Sequence, residues 1–370
     1  MKIKNQRETI LHLIETSDVG GAEKVMIDLA CGLEKRGFHS IACLRKEGML
    51  YDELVKRGVE TYVLEENGFF DLGFLVKLVM IVIKKKVSII HAHEFLMNVY
   101  GTIVGMISAT PVVITLHGKL YYVDKWWRRL ALRFASLFSQ LTCVSEDLQC
   151  YVSKELQIPY NRIKTIYNGI DTKIRVRGNN YSLIKTELGI RDGYKIVGTV
   201  ANLNPIKGHI YLLRAIPTII QEYPKIIFLF VGKGEEEQKL RSEAMNLGIS
   251  DYVRYLGFRS DVPELLSLMD IFVLPSLSEC LPLSVLEAMA FSIPAVVTNV
   301  GGNREIIDDG VTGYVVPAGD PERLAEKILL LLRDKKNAEC IGLKGSETIG
   351  RKFSIDKMLE QYRSLYNSLL

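Results

Sequence analysis

The chain has 370 residues, of which 48% are hydrophobic and 24% charged, and its formal net charge is +4. This length predicts two domains, each large enough to bury a core of its own. The composition is typical of a soluble globular protein, and the weak positive charge argues against nucleic acid as a partner.

The cysteines and the most apolar stretch bear on where the protein acts. The six cysteines form no C-x-x-C pair and no metal-ligand cluster, so we expect reduced residues in the cytoplasm. The basic N-terminus is followed by too short an apolar run for a signal peptide. The stretch from Leu72 to Ile83 contains Lys77 and has about half the length of a membrane span, which predicts a buried helix.

Strand-like and helix-like runs alternate along the whole chain. Strands are predicted near residues 10–15, 40–44, 60–64, 88–92, 112–115, 141–144 and 164–166, and then near 195–200, 226–231, 253–256, 271–274, 295–298 and 313–315. This alternation predicts two doubly wound, parallel α/β sheets. Because open α/β sheets bind ligands at the carboxyl ends of their strands, we expect a site in the cleft between two such domains.

We place the domain boundaries from composition. Residues 171–183 are poor in apolar side chains and predict a linker, whereas residues 354–370 have apolar side chains at helical spacing. The expected domains are therefore residues 1–175 and residues 176–352. Residues 353–370 form a C-terminal helix.

Two carboxylates, Glu279 and Glu287, lie eight positions apart in the segment LPSLSECLPLSVLEAMA. Pro282 suits the start of a helix, and Leu283 begins the helical apolar spacing. A helix that starts after a parallel strand favours a phosphate at its N-terminus. Both carboxylates would then face neutral sugar or ribose hydroxyls, although an isolated pair at this spacing is usually two solvated surface charges.

Other residues at predicted strand ends are compatible with ligand binding or with a purely structural role. Gly20 and Gly21 follow the first strand and allow close approach of a ligand, or a plain turn. His93 and His117 each lie at the carboxyl end of a strand, where an imidazole can donate or titrate, or can simply be packed. Lys207 precedes Gly208 near a predicted helix start and is a cation for phosphate, or part of a cap.

These motifs, in this order, resemble the retaining glycosyltransferases of family 4 with the GT-B fold, and the resemblance spans nearly the whole chain. It implies that Glu279 and His117 act at the transferred sugar and that His93 lies near the acceptor. It also implies a C-terminal helix that packs back on the first domain. The donor-binding residues that it implies are Gly20, Gly21, Asn202, Lys207, Arg259, Leu283 and Glu287.

One position departs from the family pattern. Asn202 stands five residues before Lys207, where the family commonly has an arginine. An amide donates a neutral hydrogen bond and cannot replace a bidentate, charged contact with phosphate. Lys207 is then the main cation for the diphosphate, and the departure puts the full phosphate clamp in doubt.

The resemblance predicts transfer of a sugar, with retention, from a UDP- or GDP-sugar to an acceptor hydroxyl in polysaccharide, lipopolysaccharide or lipid-linked oligosaccharide assembly. No Asp-x-Asp occurs in the sequence, so we expect neither a metal nor a further cofactor. The alternatives are a non-catalytic nucleotide-binding partner of another transferase and a sugar-nucleotide epimerase or phosphorylase on a similar fold.

A segment near residue 130 suggests contact with a membrane surface. Trp126, Leu130, Phe134, Leu137, Phe138 and Leu141 recur at helical spacing, and we expect this stripe to be core. The remaining positions include Trp127, Arg128, Arg129 and Arg133. A tryptophan among cations fits either an anionic membrane surface or a solvated basic helix with one packed ring.

Overall fold

The computed structural model describes residues 7–18, 20–65, 71–119, 125–173 and 181–370. The chain forms two compact units: unit 1 contains Met1–Gly169 and Ile355–Leu370, and unit 2 contains Ile170–Ser354. Of the predicted linker, residues 174–180 lie outside the described residues. The chain leaves unit 1 once and returns to it with its last helix.

Unit 1 is built on a seven-stranded parallel sheet in the order β3-β2-β1-β4-β5-β6-β7. Its strands are β1 Glu8–Leu13, β2 Phe38–Leu44, β3 Glu60–Val63, β4 Val87–His93, β5 Val112–Leu116, β6 Gln140–Cys143 and β7 Ile163–Thr165. Its helices are α1 Gly21–Glu34, α2 Met49–Lys56, α3 Leu72–Lys84, α4 Phe95–Ser108, α5 Trp126–Phe138, α6 Glu146–Leu156 and the last helix, α15 Ile355–Asn367.

Unit 2 is built on a six-stranded parallel sheet in the order β10-β9-β8-β11-β12-β13. Its strands are β8 Lys195–Val200, β9 Ile226–Val231, β10 Val253–Gly257, β11 Ile271–Leu274, β12 Ala295–Thr298 and β13 Tyr314–Val316. Its helices are α7 Tyr181–Glu187, α8 His209–Glu222, α9 Glu237–Asn246, α10 Val262–Ser267, α11 Leu283–Ala290, α12 Asn303–Ile306, α13 Pro321–Arg333 and α14 Lys335–Lys352. Each of the thirteen predicted strands has its counterpart, which confirms the two doubly wound sheets.

Strand β4 shows how the sheet of unit 1 separates two layers of helices. Its alternate residues face opposite sides of the sheet. Ile90 and Ala92 face α4, where a Cβ added to Gly101 would lie 3.2 Å from the Ala92 methyl. His91 and His93 face the other side, which is covered by α15. Both sides of the strand are buried, which is typical of a parallel sheet with helices on both faces.

The last helix is joined to the sheet by buried hydrogen bonds. The Tyr366 hydroxyl lies 2.6 Å from Nδ1 of His91, and the Tyr362 hydroxyl lies 2.9 Å from Oγ1 of Thr115. Burial raises the pKa of Tyr366 and lowers the pKa of His91, so both groups are neutral. Thr142 donates to a backbone carbonyl and therefore accepts from Thr115, so the Thr115 oxygen accepts from Nε2–H of His91. The other imidazole nitrogen, Nδ1, then accepts from the Tyr366 phenol. The C-terminal helix therefore packs back on the first sheet, as the sequence predicted.

Two expectations about burial in unit 1 are wrong. Helix α3 buries Phe74 and Leu78 but exposes Leu72, Val76, Met80 and Ile83, so it is not the buried helix that its composition predicts. On α5 the predicted core stripe is exposed instead: Trp126, Leu130, Phe134, Leu137 and Phe138 face solvent, and only Leu141, in β6, is buried.

The physical reason is that helical spacing separates two faces without saying which one packs. On α5 the side that packs inward carries small or compact residues, Ala135 and Ser136, beside Leu132. Small side chains let a helix lie close to its neighbours, so the larger apolar residues are left on the outer side. Among the described residues, no helix is both long and apolar enough to cross a membrane.

We predict that Tyr366→Phe lowers the stability of unit 1 by about 1–3 kcal/mol, because the buried Nδ1 of His91 loses its donor. Both tryptophans of the protein, Trp126 and Trp127, lie in unit 1. Thermal unfolding followed by tryptophan fluorescence should therefore show a midpoint lower by several degrees. Tyr223→Phe in unit 2 is the control, and an equal shift in both variants would contradict the assignment.

Candidate active site

The loops at the carboxyl edge of unit 2 bring together several of the predicted donor residues. Strands β8 and β11 are neighbours at the centre of this sheet, where the strand order reverses. Such a switch point is the position at which open α/β sheets bind ligands. Lys207 follows β8, and Glu279 follows β11.

Lys207 and Glu279 form an ion pair at this edge. The Lys207 Nζ lies 2.7 Å from Oε1 of Glu279, and the Ser276 hydroxyl donates to the same oxygen at 2.6 Å. The Glu279 side chain is only 6% exposed, whereas that of Lys207 is 24% exposed. A buried carboxylate needs such donors to remain charged. The pair leaves Oε2 of Glu279 as a second acceptor.

Two glycines allow the backbone to pack this closely. Gly208 has φ +64°, and a Cβ there would lie 2.2 Å from the carbonyl oxygen of Pro275. Gly301 has φ +53°, and a Cβ there would lie 1.8 Å from the carbonyl oxygen of Glu279. Any side chain at either position would displace the loop that holds Lys207 or Glu279. The turn that begins at Gly301 thus supports the loop of Glu279.

Helix α11 carries the second predicted carboxylate. The helix begins at Leu283 after Pro282, which takes the N-cap position in extended conformation. Glu287 is half-buried, on the second turn, and it follows Glu279 at the predicted spacing of eight residues. A helix N-terminus with an acceptor one turn later suits a ligand that carries both phosphate and hydroxyl groups.

Sequence reasoning missed two residues near Asn202. Lys233 follows β9, and it lines a depression of about 360 Å³ together with Asn202, Asn204, Gly234 and Glu235. The exposed Phe258 follows β10, and the Lys233 Nζ lies 5.9 Å from the centre of its ring. The signal available in the sequence is Gly232-Lys233-Gly234 directly after a strand, a pattern that by itself is typical of a surface turn.

The predicted role of Arg259 at the nucleobase remains a prediction, but its contacts are now defined. Its guanidinium binds Asp261 through Nε at 2.7 Å and Nη2 at 2.6 Å, and Glu187 through Nη1 at 2.6 Å. Hydrogen bonds to these carboxylates raise its pKa, with Asp261 the largest contribution. The edge of the Arg259 guanidinium thus binds two carboxylates, and only the flat face of the guanidinium is suited to stacking on a nucleobase.

In unit 1 the glycine loop is held by carboxylates. Gly20 is the N-cap of α1, and its N–H donates to Oε2 of Glu23 at 3.0 Å. The carboxylate of Glu94 accepts from the backbone N–H groups of residues 15 and 16, each at 2.9 Å. Glu94 itself has φ +65°, a strained conformation for a residue with a side chain. The sequence analysis did not identify Glu94, whose only signal is its place directly after the strand that ends in His93.

Four histidines meet on one face of this sheet. Nδ1 of His93 lies 2.9 Å from Nε2 of His117, and the His91 ring is centred 4.3 Å from the His93 ring and 5.7 Å from that of His12. Burial lowers the pKa of His12 to about 3 and of His117 to about 4, and it lowers those of His91 and His93 as well. The imidazoles are therefore neutral at physiological pH.

His12, His91 and His93 also lie close enough for their nitrogens to share a metal ion. The contacts of His91 argue against this arrangement, because its Nδ1 accepts from Tyr366 and its Nε2 lies 2.6 Å from the Thr115 hydroxyl. A neutral imidazole has one lone pair, and the phenol already uses it. The cluster is instead a packed, neutral set of rings, with His117 half-buried at its outer end.

Two family models match successive parts of the chain: Glycosyltransferase Family 4 matches residues 19–174, and Glycosyl transferases group 1 matches residues 181–347. A curated relative, N-acetyl-alpha-D-glucosaminyl L-malate synthase of Bacillus anthracis, is 30% identical over 84% of this chain and 83% of its own length. Another, UDP-Gal:alpha-D-GlcNAc-diphosphoundecaprenol alpha-1,3-galactosyltransferase of Escherichia coli, is 28% identical over 80% of this chain and 79% of its own.

Among solved structures, HepE of Anabaena in complex with UDP-glucose is similar, with a TM-score of 0.86 and 25% identity over 97% of this chain and 99% of that one. These similarities and the two Rossmann-like sheets define a glycosyltransferase with the GT-B fold. The chain belongs to glycosyltransferase family 4, with a group 1 glycosyl transferase domain as its second half.

We predict that acid destabilises unit 1 through its neutral histidines. In the unfolded chain a histidine titrates near 6.5, whereas in the folded chain the values are about 3 for His12 and about 4 for His117. Above pH 7 neither state binds these protons, so stability is complete there. Between pH 6.5 and about 4 only the unfolded state binds them, so the free energy of unfolding falls as the pH falls, by up to about 1.4 kcal/mol per pH unit and histidine.

Urea unfolding at a series of pH values, followed by tryptophan fluorescence, measures this slope. His12→Leu should flatten it by about one proton, because the imidazole of His12 is removed. Met26→Leu, at a buried position of unit 1 whose side chain binds no proton, should leave the slope unchanged. Equal slopes for the wild type and His12→Leu would contradict the prediction.

Proposed function

We propose that this glycosyltransferase moves a hexose or N-acetylhexosamine from a UDP-sugar to an acceptor hydroxyl, with retention at the anomeric carbon. The observation that carries the proposal is the Lys207–Glu279 pair at the switch point of unit 2. A UDP donor is supported by the complex of HepE with UDP-glucose and by the UDP-Gal named for the Escherichia coli relative. GDP remains the other donor nucleotide to be tested.

The roles of the donor residues follow from their contacts. Lys207 binds the diphosphate, with Leu283 at the start of α11 directing backbone N–H groups toward it. Glu279 accepts from sugar hydroxyls through Oε2, since Lys207 and Ser276 occupy Oε1. Glu287 accepts from the ribose hydroxyls. In unit 1, Gly20 and Gly21 contribute the loop toward the donor.

Lys233 supplies the charge that Asn202 cannot. Both residues line the same depression, so an ammonium and an amide there can bind one diphosphate together. Charge on the leaving group is then stabilised by Lys207, Lys233 and the α11 N-terminus, and the proposed reaction needs no metal. This arrangement favours an active enzyme over the non-catalytic partner that Asn202 alone would suggest.

The protonation states support retention in this proposal. His117 is neutral because its pKa is lowered to about 4, and it supports the developing charge as a polarised hydrogen-bonding group. Glu279 is held in an ion pair and serves as an acceptor. The proton of the acceptor hydroxyl then passes to a leaving diphosphate oxygen, on the face from which the sugar departs. An α-linked product from a UDP-α-sugar, read by NMR, supports this assignment, and a β-linked product overturns it.

We further propose a saccharide or lipid-linked saccharide acceptor, near His93, and a cytoplasmic enzyme. Relatives named for capsule biosynthesis in Staphylococcus aureus and for a diphosphoundecaprenol acceptor in Escherichia coli support the acceptor class. None of the six cysteines is in a disulfide, which fits a reducing compartment. Residues 1–175 serve the acceptor in this proposal, and residues 176–352 the donor.

Thermal unfolding with UDP, GDP, ADP and dTDP tests the donor. At about a hundred times its dissociation constant a nucleotide stabilises by roughly 2.7 kcal/mol, so UDP should raise the midpoint by a few degrees. Glu287→Ala should abolish the shift, whereas Glu347→Ala, at another helical glutamate of unit 2, should keep it. A shift with GDP alone would correct the base, and no shift with any nucleotide would overturn the donor site.

Substitutions of Lys207 and Lys233 should affect different quantities, the turnover rate and the affinity for UDP respectively. We predict that Lys207→Ala lowers kcat by about 100-fold or more, because a transition-state contact is lost and Glu279 stays buried without its cation. Lys233→Ala should weaken UDP binding roughly tenfold, about 1.4 kcal/mol, by titration calorimetry. Lys239→Ala, at an exposed lysine on α9, is the control. Unchanged UDP affinity in Lys233→Ala would show that Asn202 has no compensating cation there.

A further inference from the structure

One side of unit 1 exposes a large set of apolar side chains on three helices. We call this set the apolar face; it consists of Leu72, Val76, Met80 and Ile83 on α3, Met106 and Ile107 on α4, and Trp126, Leu130, Phe134, Leu137 and Phe138 on α5. Each of these side chains is at least 44% exposed, and Trp126 is 74% exposed. Scattered exposed apolar residues are normal on a protein surface, but a contiguous set marks a site of contact.

The three helices are neighbours in one layer, so their exposed apolar side chains lie on the same side of unit 1. Helix α4 packs against α3 on one side and against α5 on the other. The inner sides of the helices are used against the sheet and one another, as with Phe74, Gly101 and Leu132. The exposed residues lie on the sides of the helices that face away from the sheet and from one another. Helix α5 alone is about 20 Å long.

Charge distinguishes the three helices of the apolar face from the helices on the other side of the sheet. Helices α3, α4 and α5 contain five cations and no aspartate or glutamate; the cations are Lys77, Lys84, Arg128, Arg129 and Arg133. The next helix of the same layer, α6, packs against α5 and adds three carboxylates and one lysine. The opposite layer, α1, α2 and α15, contains seven carboxylates and four cations. The three helices that expose the apolar side chains thus carry cations only, which suits an occupant that is apolar inside and anionic at its surface.

We propose that the apolar face binds a lipid bilayer with anionic headgroups, with α5 and α3 lying in the interface. Large aliphatic and aromatic side chains insert at the headgroup boundary, while lysine and arginine bind the lipid phosphates. Lys77, Lys84 and Arg133 are exposed beside the apolar side chains and are placed to do this. A protein partner or a second copy of the chain would not by itself require the absence of carboxylates from all three helices.

This assignment keeps Arg133 from the membrane-contacting set that the sequence suggested but not Trp127, Arg128 or Arg129. Trp127 packs edge-on against Phe95 with ring centres 5.5 Å apart, and the Arg128 guanidinium lies 5.3 Å from the centres of both rings. These two side chains stabilise the packing of α5 on α4. Arg129 pairs with Glu155 of α6 at 3.5 Å. The apolar lipid contacts then belong to Trp126 and the exposed residues that follow it on α5.

Membrane binding rests on the proposed function for its biological role, because a transferase held at a bilayer meets a lipid-linked acceptor at high local concentration. Lipid binding itself can be measured without any transfer. A failed transfer assay with intact vesicle binding would therefore count against the proposed reaction only, and the reverse result would count against the apolar face only.

The test is flotation of the full chain with vesicles of phosphatidylcholine alone or with about 30% phosphatidylglycerol. We expect binding to the anionic vesicles, at least about tenfold weaker binding to the neutral ones, and loss of binding in about 0.5 M salt. Leu130→Glu and Leu137→Glu, at positions already exposed, should each lower the affinity about tenfold or more. Leu343→Glu, 59% exposed on α14 in unit 2, is the matched control for Leu137, which is 60% exposed.

Several outcomes would overturn the proposal. Equal binding to neutral and anionic vesicles would show that the cations do not contribute. An equal loss of vesicle affinity in Leu137→Glu and Leu343→Glu would show that the apolar face does not bind the bilayer. A lipid-free dimer in light scattering that Leu137→Glu converts to a monomer would assign the face to a second copy. UDP binding should be unchanged in all three variants, which verifies that they are folded.

Discussion

Both units depend on one geometrical constraint, the parallel pairing of their strands. Parallel pairing brings the carboxyl ends of neighbouring strands to the same edge, so residues far apart in sequence become neighbours there. In unit 2 the pairing of β8 with β11 places Lys207 beside Glu279, which follows it by 72 residues. In unit 1 the register of β4 with β5 places His93 opposite Thr115, and so His93 beside His117. In each unit the strand pairing determines which loops are neighbours and therefore which side chains meet.

The same edge gathers opposite charges, and this has a chemical consequence. A buried carboxylate that is paired with a lysine is neutral as a pair. In the proposed function the diphosphate contacts Lys207 while the sugar hydroxyls contact Oε2 of Glu279. The ion pair would then link the nucleotide part of the donor to its sugar part through two side chains in loops that follow neighbouring strands.

Most of the fold could be predicted from the sequence because buried parallel strands are short apolar runs between helical patterns, and such runs are unambiguous at Ile226–Val231 or Ile271–Leu274. The Glu279 and Glu287 spacing was also visible. The sequence does not show which side of a helix packs against the sheet. The apolar spacing of α5 is compatible with either side, and only the packing shows that Trp127 points inward and Trp126 outward. The position of Lys233 beside Asn202 could not be predicted for a related reason, since it comes from the pairing of β8 with β9 and not from any motif.

The contact of Tyr366 with His91 also has a consequence for how the chain is made. Unit 1 is synthesised first but lacks its last helix until the 185 residues of Ile170–Ser354 have followed. At roughly 5–20 residues per second this interval is roughly 10–40 s. During that time the imidazoles of β4 have no cover from α15. Unit 1 therefore completes its fold only after the whole of unit 2 has been synthesised.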